Sequence, residues 1–306
     1  MTVQRGVVAA LAMVAGCSAV PTQVEGAHYQ YVVSDLRVPS DTTTALENGL
    51  DLDGNHAVDN QLGQVFSLLH QFGLGVADTA HEALLRGGVV MLVDLQTSAF
   101  DHTALAGFTA YLGGDPVPAP CLDPARLDTC GQHLSGQGSF SVDVDTASDR
   151  AVGPIVASVF AELVGRLPIE IAIDPTATLR LDLRGAHIRL TELSGSHASG
   201  VLGGGITLAD VAGVVIPAAV AQMNRIVHAE CAQPTGKPPC GCIDNTRAEL
   251  LQSTFDDDNN CEIGAAEVSS NGLVKSILAP DIVIDGEQLL SFGVGIELAT
   301  AMFPSP

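Results

Sequence analysis

Tryptophan is absent from the 306 residues, and tyrosine (3) and phenylalanine (9) are scarce, so the core must rest on Val, Leu, Ile and Ala. Basic residues are few as well. Lys and Arg number 13 against 35 Asp and Glu, a formal charge of −22, and no stretch concentrates them. A field of that sign repels phosphate backbones and excludes nucleic acid as a partner. Charged residues make up only 16% and hydrophobic residues 46%, which excludes disorder, because disordered acidic chains are poor in apolar residues. Long hydrophobic runs are lacking too. Beyond the N-terminus the nearest to one, residues 211 to 220, is ten residues long and contains Pro217, too short for a bilayer-spanning helix. The length suits one large domain or two ordinary ones.

The N-terminus reads as an export segment over residues 1–16. Arg5 supplies a short positive region and residues 6 to 15 an apolar run that ends in Val14, Ala15, Gly16 and Cys17. These four residues resemble the lipobox of bacterial lipoproteins. The resemblance implies cleavage before Cys17, lipidation of Cys17, and attachment to a membrane through that N-terminal lipid. Ser18 after the Cys implies the outer membrane or cell surface. Ordinary signal cleavage after Ala19 or Ala27 is the alternative, and it also means export. Residues 17–28 then read as a tether.

Seven cysteines fit that address. With Cys17 assigned to lipid, Cys121, Cys130, Cys231, Cys240, Cys242 and Cys261 remain, an even number that suggests three disulfides in an exported chain. Cys121 and Cys130 are expected to pair across a Pro-rich loop. Cys240 and Cys242 are too close to favour each other, so each is expected to reach Cys231 or Cys261. A four-thiolate zinc site is disfavoured because the paired two-residue spacings of zinc modules are missing.

Apolar patterning predicts an α+β fold: a mainly antiparallel β body over residues 29–230 with several packed helices, then a disulfide-rich segment over 231–306 that ends in closing strands on the same body. Alternation marks strands at Phe140 and Val142, at Ile169, Ile171 and Ile173, and at Leu179, Leu181 and Leu183, with a slip of phase at Gly185. The continuous run over 89 to 95 suits a strand covered on both faces. Helices are expected over 61 to 72, 78 to 86, 154 to 164 and from Thr207 towards His228, the last kinked at Pro217. Gly203, Gly204 and Gly205 read as a tight strand-to-helix turn.

Two acidic loops carry the chemistry. In residues 256 to 267, Asp256, Asp258 and Asn260 fall at positions 1, 3 and 5, the Glu262 carbonyl at 7, Ile263 at 8 and Glu267 at 12. This resembles an EF-hand loop, in which alternate residues of a tight curl turn six to eight oxygens onto Ca²⁺ and the twelfth carboxylate closes the sphere. The resemblance implies a C-terminal EF-hand-like helix-loop-helix, with helices over 245 to 255 and 265 to 278. Position 6 departs from it, with Cys261 in place of the glycine a positive φ favours. Residues 51 to 62 resemble the calcium loops of dockerin-like modules: Asp51, Asp53, Asn55, the Ala57 carbonyl and Asp59 stand at positions 1, 3, 5, 7 and 9. Leu62 replaces the closing carboxylate there, so the site either takes an acid from elsewhere in the fold or stays weak and wet, and His56 replaces the glycine.

Catalytic motifs fall short. His81 and Glu82 open a zincin-like pattern, but Leu85 stands where its second His belongs. Ser194, Ser196, His197 and Ser199 form no nucleophile elbow. The expectation is therefore an exported, lipid-anchored surface or interaction protein with structural Ca²⁺ and a protein or glycan partner. The alternatives are a secreted hydrolase with a calcium-stabilised scaffold and, less supported, a carrier of apolar ligands.

Overall fold

The computed structural model describes residues 23–71, 75–120, 130–174, 177–232 and 240–304. Cys17, the expected lipid site, and Cys121, the expected partner of Cys130, lie outside the described residues.

Ten strands share one sheet: β1 (Ala27–Arg37), β2 (Met91–Thr97), β3 (His102–Val117), β4 (Gly138–Asp143), β5 (Ala151–Val156), β6 (Val159–Asp174), β7 (Ala177–Thr191), β8 (His197–Thr207), β9 (Ile282–Ile284) and β10 (Glu287–Met302). Eight of them close on themselves. β1 pairs with β2 and also with β10, and β3 pairs with β2 and also with β5. The circuit β1-β2-β3-β5-β6-β7-β8-β10 is therefore an antiparallel ring in up-and-down order. β4 and β9 are additions, β4 bridging β3 and, in parallel, β10, and β9 pairing with β10. The circuit feeds a main hydrophobic core, which runs from Tyr31 to Phe303, and Leu289 of β10 joins a small second cluster with Leu52 and Ile282. Its four largest fully buried side chains, Tyr31, Phe108, Phe160 and Phe292, come from four different strands.

Period-two patterning explains the strands. In β7, Leu179, Leu181 and Leu183 are buried and Arg180 and Arg184 are exposed; Gly185, at φ 51°, shifts the phase, and Ala186, Ile188 and Leu190 carry the buried face onward. A Cβ at Gly185 would lie 2.6 Å from Ile284 Cδ1, so the slip also makes room for β9. β2 is buried on both faces, as its unbroken apolar run requires.

Three expectations are overturned by this architecture. The α+β class gives way to a mainly antiparallel ten-stranded sheet with short helices around it. Residues 154 to 164 form no helix: Ala157 and Ser158, at φ 52° and 61°, make a two-residue turn between β5 and β6, and the β-branched residues around them alternate between buried and exposed faces. The glycines 203 to 205 lie inside β8, opposite Gly293, Phe292 and Ser291 of β10.

The helices are α1 (Thr42–Glu47), α2 (Gln61–Gln71), α3 (Val76–Leu85), α4 (Leu208–Glu230), α5 (Arg247–Phe255), α6 (Ala265–Ser270) and α7 (Gly272–Ile277). α4 starts at Thr207, whose side chain accepts from Asp210 N, and it contains a π-helical turn, Val211–Val215, just before Pro217. A ring that lacks an N–H and crowds the preceding turn accounts for that wider turn. By length and composition α4 could cross a bilayer, yet Val211, Val215, Ile216, Met223, Ile226 and Val227 are buried against the protein.

The C-terminal EF-hand helix-loop-helix is not present among the described residues. The exit helix expected over 265 to 278 stops after Ser270, because Asn271 is extended (φ −59°, ψ 131°) and its side chain accepts from Leu273 N and Val274 N to start α7. An Asn that can cap the next helix competes with continuing the previous one.

The two ends of the ring differ. Tight turns join β2 to β3, β5 to β6 and β7 to β8 at the end where β1 begins; Ala27 pairs with Thr97, and Tyr31 Oη donates to Ser194 O there (2.7 Å). The helices α1 to α7 all lie in connections that leave from the other end of the strands.

Candidate metal centre

The loop of residues 51 to 62 joins α1 to α2 and is fastened onto β10. Asn60, only 2% exposed, does the fastening: its Nδ2 donates to Ala45 O and Gly293 O, and its Oδ1 accepts from Gly293 N and Gly63 N, all within 3.1 Å. A Cβ on Gly293 would lie 2.3 Å from Asn48 O, so only glycine lets the loop lie this close to the strand. Under the loop, Leu52 packs with Ile282 and Leu289.

Within the curl, Asp51 Oδ1 accepts from Gly54 N and Oδ2 from His56 N, Asp53 Oδ1 accepts from Asn55 N, and Asn55 Oδ1 accepts from Ala57 N. Asp59 Oδ2 closes the loop by accepting from Leu52 N at 2.8 Å. Carboxylate oxygens of Asp51, Asp53 and Asp59 lie within 4.8 Å of one another.

The loop of residues 256 to 267, between α5 and α6, repeats this web. Asp256 Oδ1 accepts from Asn260 N and Oδ2 from Cys261 N, Asp258 Oδ1 accepts from Asn260 N, and Asn260 Oδ1 accepts from Glu262 N. Glu267 closes it, Oε1 accepting from Asp258 N and Oε2 from Gly264 N. Oxygens of Asp256, Asp258 and Glu267 again lie within 4.8 Å. Position 6 has φ 68° in both loops, at His56 and at Cys261, so the backbone adopts the left-handed turn without glycine. Cys261 is bonded to Cys240, which pins that turn, and Cys231 is bonded to Cys242. Cys130 is disulfide-bonded as well. Asp256 also lies near Cys240 and Cys261, but sulfurs joined in a disulfide offer no thiolate to a metal.

Three participants carried no sequence signal. Asn224 of α4 clamps the second loop, its Nδ2 donating to Ile263 O and its Oδ1 accepting from Ile263 N. His228 Nε2 lies 3.2 Å from the exposed Glu262 carboxylate. Asp281 is close enough to Asp59 to act on its charge. The Asp59 carboxyl is pushed up from its ordinary pKa mainly by burial, with Asp53, Asp281 and Asp51 adding repulsion against the Leu52 N–H that opposes it. Asp59 and Asp281 are 222 residues apart, which is why spacing could not connect them. Both Asp281 oxygens accept from Ser291.

The discarded catalytic patterns have structural uses. His81 Nδ1 is 3.0 Å from Asp35 Oδ1, and Glu82 pairs with Arg86 on the same helix. Ser194 Oγ accepts from His197 N and donates to His197 O, which fixes the β7–β8 turn.

Compared with known protein families, with curated proteins and with solved structures, the chain matches none.

Proposed function

We propose that the chain is an exported, lipid-anchored protein in which the loops of residues 51 to 62 and 256 to 267 hold structural Ca²⁺. The observation that supports this is the shared web: at positions 1, 3 and 5 of both loops an oxygen side chain accepts from a backbone N–H, and within that curl oxygens of Asp51, Asp53 and Asp59, and of Asp256, Asp258 and Glu267, gather within 4.8 Å of one another. A hard cation with six to eight oxygen ligands suits that chemistry, and carboxylates crowded within 4.8 Å repel one another without one. Asp51, Asp53, Asn55, the Ala57 carbonyl and Asp59 would hold one ion; Asp256, Asp258, Asn260, the Glu262 carbonyl and Glu267 the other. Calcium outside the cell is plentiful, so a modest site would stay filled and serve as a fastening, contributing about 1.4 kcal/mol at ten times its Kd.

A lipid on Cys17 would hold the protein at the membrane by a short tether that enters at the tight-turn end of the ring. The helices would then remain available to a protein or glycan partner. Terbium luminescence and calorimetry test the calcium claim: two ions should bind, Glu267→Ala should remove one and Asp51→Ala the other. Stoichiometry unchanged in both variants would overturn it. Replacing Cys17 by Ser should abolish acyl labelling and membrane partitioning, and retention of both would overturn the anchor.

A further inference from the structure

Three turns and the start of β1 form a rim around the tight-turn end of the ring. Ser158 N, in the β5–β6 turn, donates to Asp101 O in the β2–β3 turn at 3.2 Å. Tyr29 of β1 meets Phe100 of the β2–β3 turn edge-on, with ring centroids 4.5 Å apart. A Cβ on Gly195, in the β7–β8 turn, would lie 3.7 Å from both rings. Among the described residues three Phe or Tyr rings are not buried, Tyr29, Phe100 and Phe255, so two of the three lie on this rim. Val156, which pairs with His102 there, is 50% exposed, and Ala157 is exposed beside it.

Charge is distributed the other way. Residues 98 to 102, 156 to 159 and 192 to 197, which make the three turns, contain no Lys or Arg and only two carboxylates, Asp101 and Glu192. The acidic loops of residues 51 to 62 and 256 to 267, on the helical side, hold three and five. An anionic bilayer repels a protein of charge −22, and that repulsion fades within a Debye length of about 8 Å. β1 is 11 residues long and extends about 35 Å, so with the rim on the bilayer the acidic loops stand more than one Debye length away even where the strands tilt. The path from Cys17 to Ala27 is ten residues, at most about 35 Å when extended, and it ends on the rim. Half-exposed aromatic rings and a valine suit the headgroup layer, where an apolar body can be buried beside polar groups. We infer that the tight-turn rim is a bilayer-contact surface, with Tyr29, Phe100 and Val156 entering the headgroup layer and the helices and acidic loops facing away. This rests on the reading of Cys17 as a lipid anchor, which brings the rim to the membrane.

The chain has no tryptophan, so Phe100→Trp and Val156→Trp each place a single reporter on the rim and Leu250→Trp one on the helical side, where Leu250 is 46% exposed. The acylated, processed protein is reconstituted on vesicles of phosphatidylcholine and phosphatidylglycerol whose acyl chains carry bromine, which quenches indole at contact. Flotation with the vesicles reads the anchor; quenching reads the rim. Phe100→Trp and Val156→Trp should each lose about half their emission relative to vesicles without bromine, and Leu250→Trp should lose none. Phe100→Asp added to Val156→Trp should relieve that quenching while flotation persists. Protein that floats with both rim reporters unquenched, or quenched no more than Leu250→Trp, overturns the inference and leaves the anchor standing. Protein that does not float overturns the anchor and, with it, the inference. Emission of Phe100→Trp that shifts with protein concentration in the absence of vesicles would place a second copy on the rim and overturn the inference as well.

Discussion

Asp59 sits among Asp51, Asp53 and Asp281 while only 8% exposed, so its charge is held in the folded state against both burial and repulsion. A carboxyl whose folded pKa is raised adds stability when protonated and loses that contribution as pH rises through the raised value. Near pH 7.5 without metal, Asp59→Asn should therefore raise the melting temperature by about 2–4 °C, the amide oxygen still accepting from Leu52 N. With saturating Ca²⁺ the order should reverse, because the cation uses the charge that the apo protein finds costly; scanning calorimetry with and without chelator reads both. His133 works in the other direction. Fully buried, with Nε2 3.1 Å from Leu84 O, it has its pKa lowered by desolvation, and desolvation also lowers that of the half-buried His187. Groups of this kind stabilise the fold above the unfolded histidine pKa of about 6.5 and lose that contribution as pH falls through the folded value. Denaturant midpoints should consequently drop from pH 7 to pH 5.5, and His133→Gln, whose amide can still donate to Leu84 O, should flatten the slope.

At the scale of elements, what holds the first acidic loop is one asparagine against one strand. Asn60→Ala would leave Gly293 N and O and the Ala45 carbonyl without partners beneath a covered surface. A loss of about 2–4 kcal/mol is expected, measured by urea unfolding, with a matching loss of terbium signal from that loop alone. The same asparagine shows what a sequence can and cannot disclose. The acidic positions of both loops were legible because their spacing is local and the chemistry fixes it. Alternation likewise disclosed β6, β7 and the slip at Gly185. Asn60 looked like a loop residue, since its partner Gly293 is 233 residues away. The β5–β6 turn escaped because Ala157 and Ser158 occupy positive φ without the Gly or Asn that usually announces it. The exit helix beyond Glu267 was overextended because Val268, Leu273, Ile277 and Leu278 supply apolar residues on both sides of Asn271, whose extended backbone splits the stretch between α6 and α7.

For the whole molecule the deciding quantity is the charge of −22. Self-repulsion of that size destabilises the compact state, so any salt should raise stability, and a calcium effect must be separated from screening. Concentration separates them. The screening length is still about 30 Å at 0.01 M ionic strength, so millimolar CaCl₂ hardly alters general repulsion, whereas it fills sites whose Kd lies below that range. At matched ionic strength, 1 mM CaCl₂ should therefore raise the melting temperature by several degrees over NaCl, and the double variant Asp51→Ala with Glu267→Ala should lose that increment while still responding to 0.5 M NaCl. The disulfide that pins the second loop adds a third contribution of a different kind. Cys240 and Cys261 are 21 residues apart, and closing such a loop constrains the unfolded chain by about 3 kcal/mol. Against this, Cys261 holds a left-handed φ of 68°, a strain of about 1 kcal/mol that glycine would relieve. Entropy wins that comparison, so Cys240→Ala with Cys261→Gly should cost about 2 kcal/mol without metal. The calcium-dependent increment should survive in that variant, because the ligands at positions 1, 3, 5 and 12 are untouched and the glycine suits the turn. An increment that vanished with the disulfide would mean that the bond, and not the spacing of the acids, builds the second site.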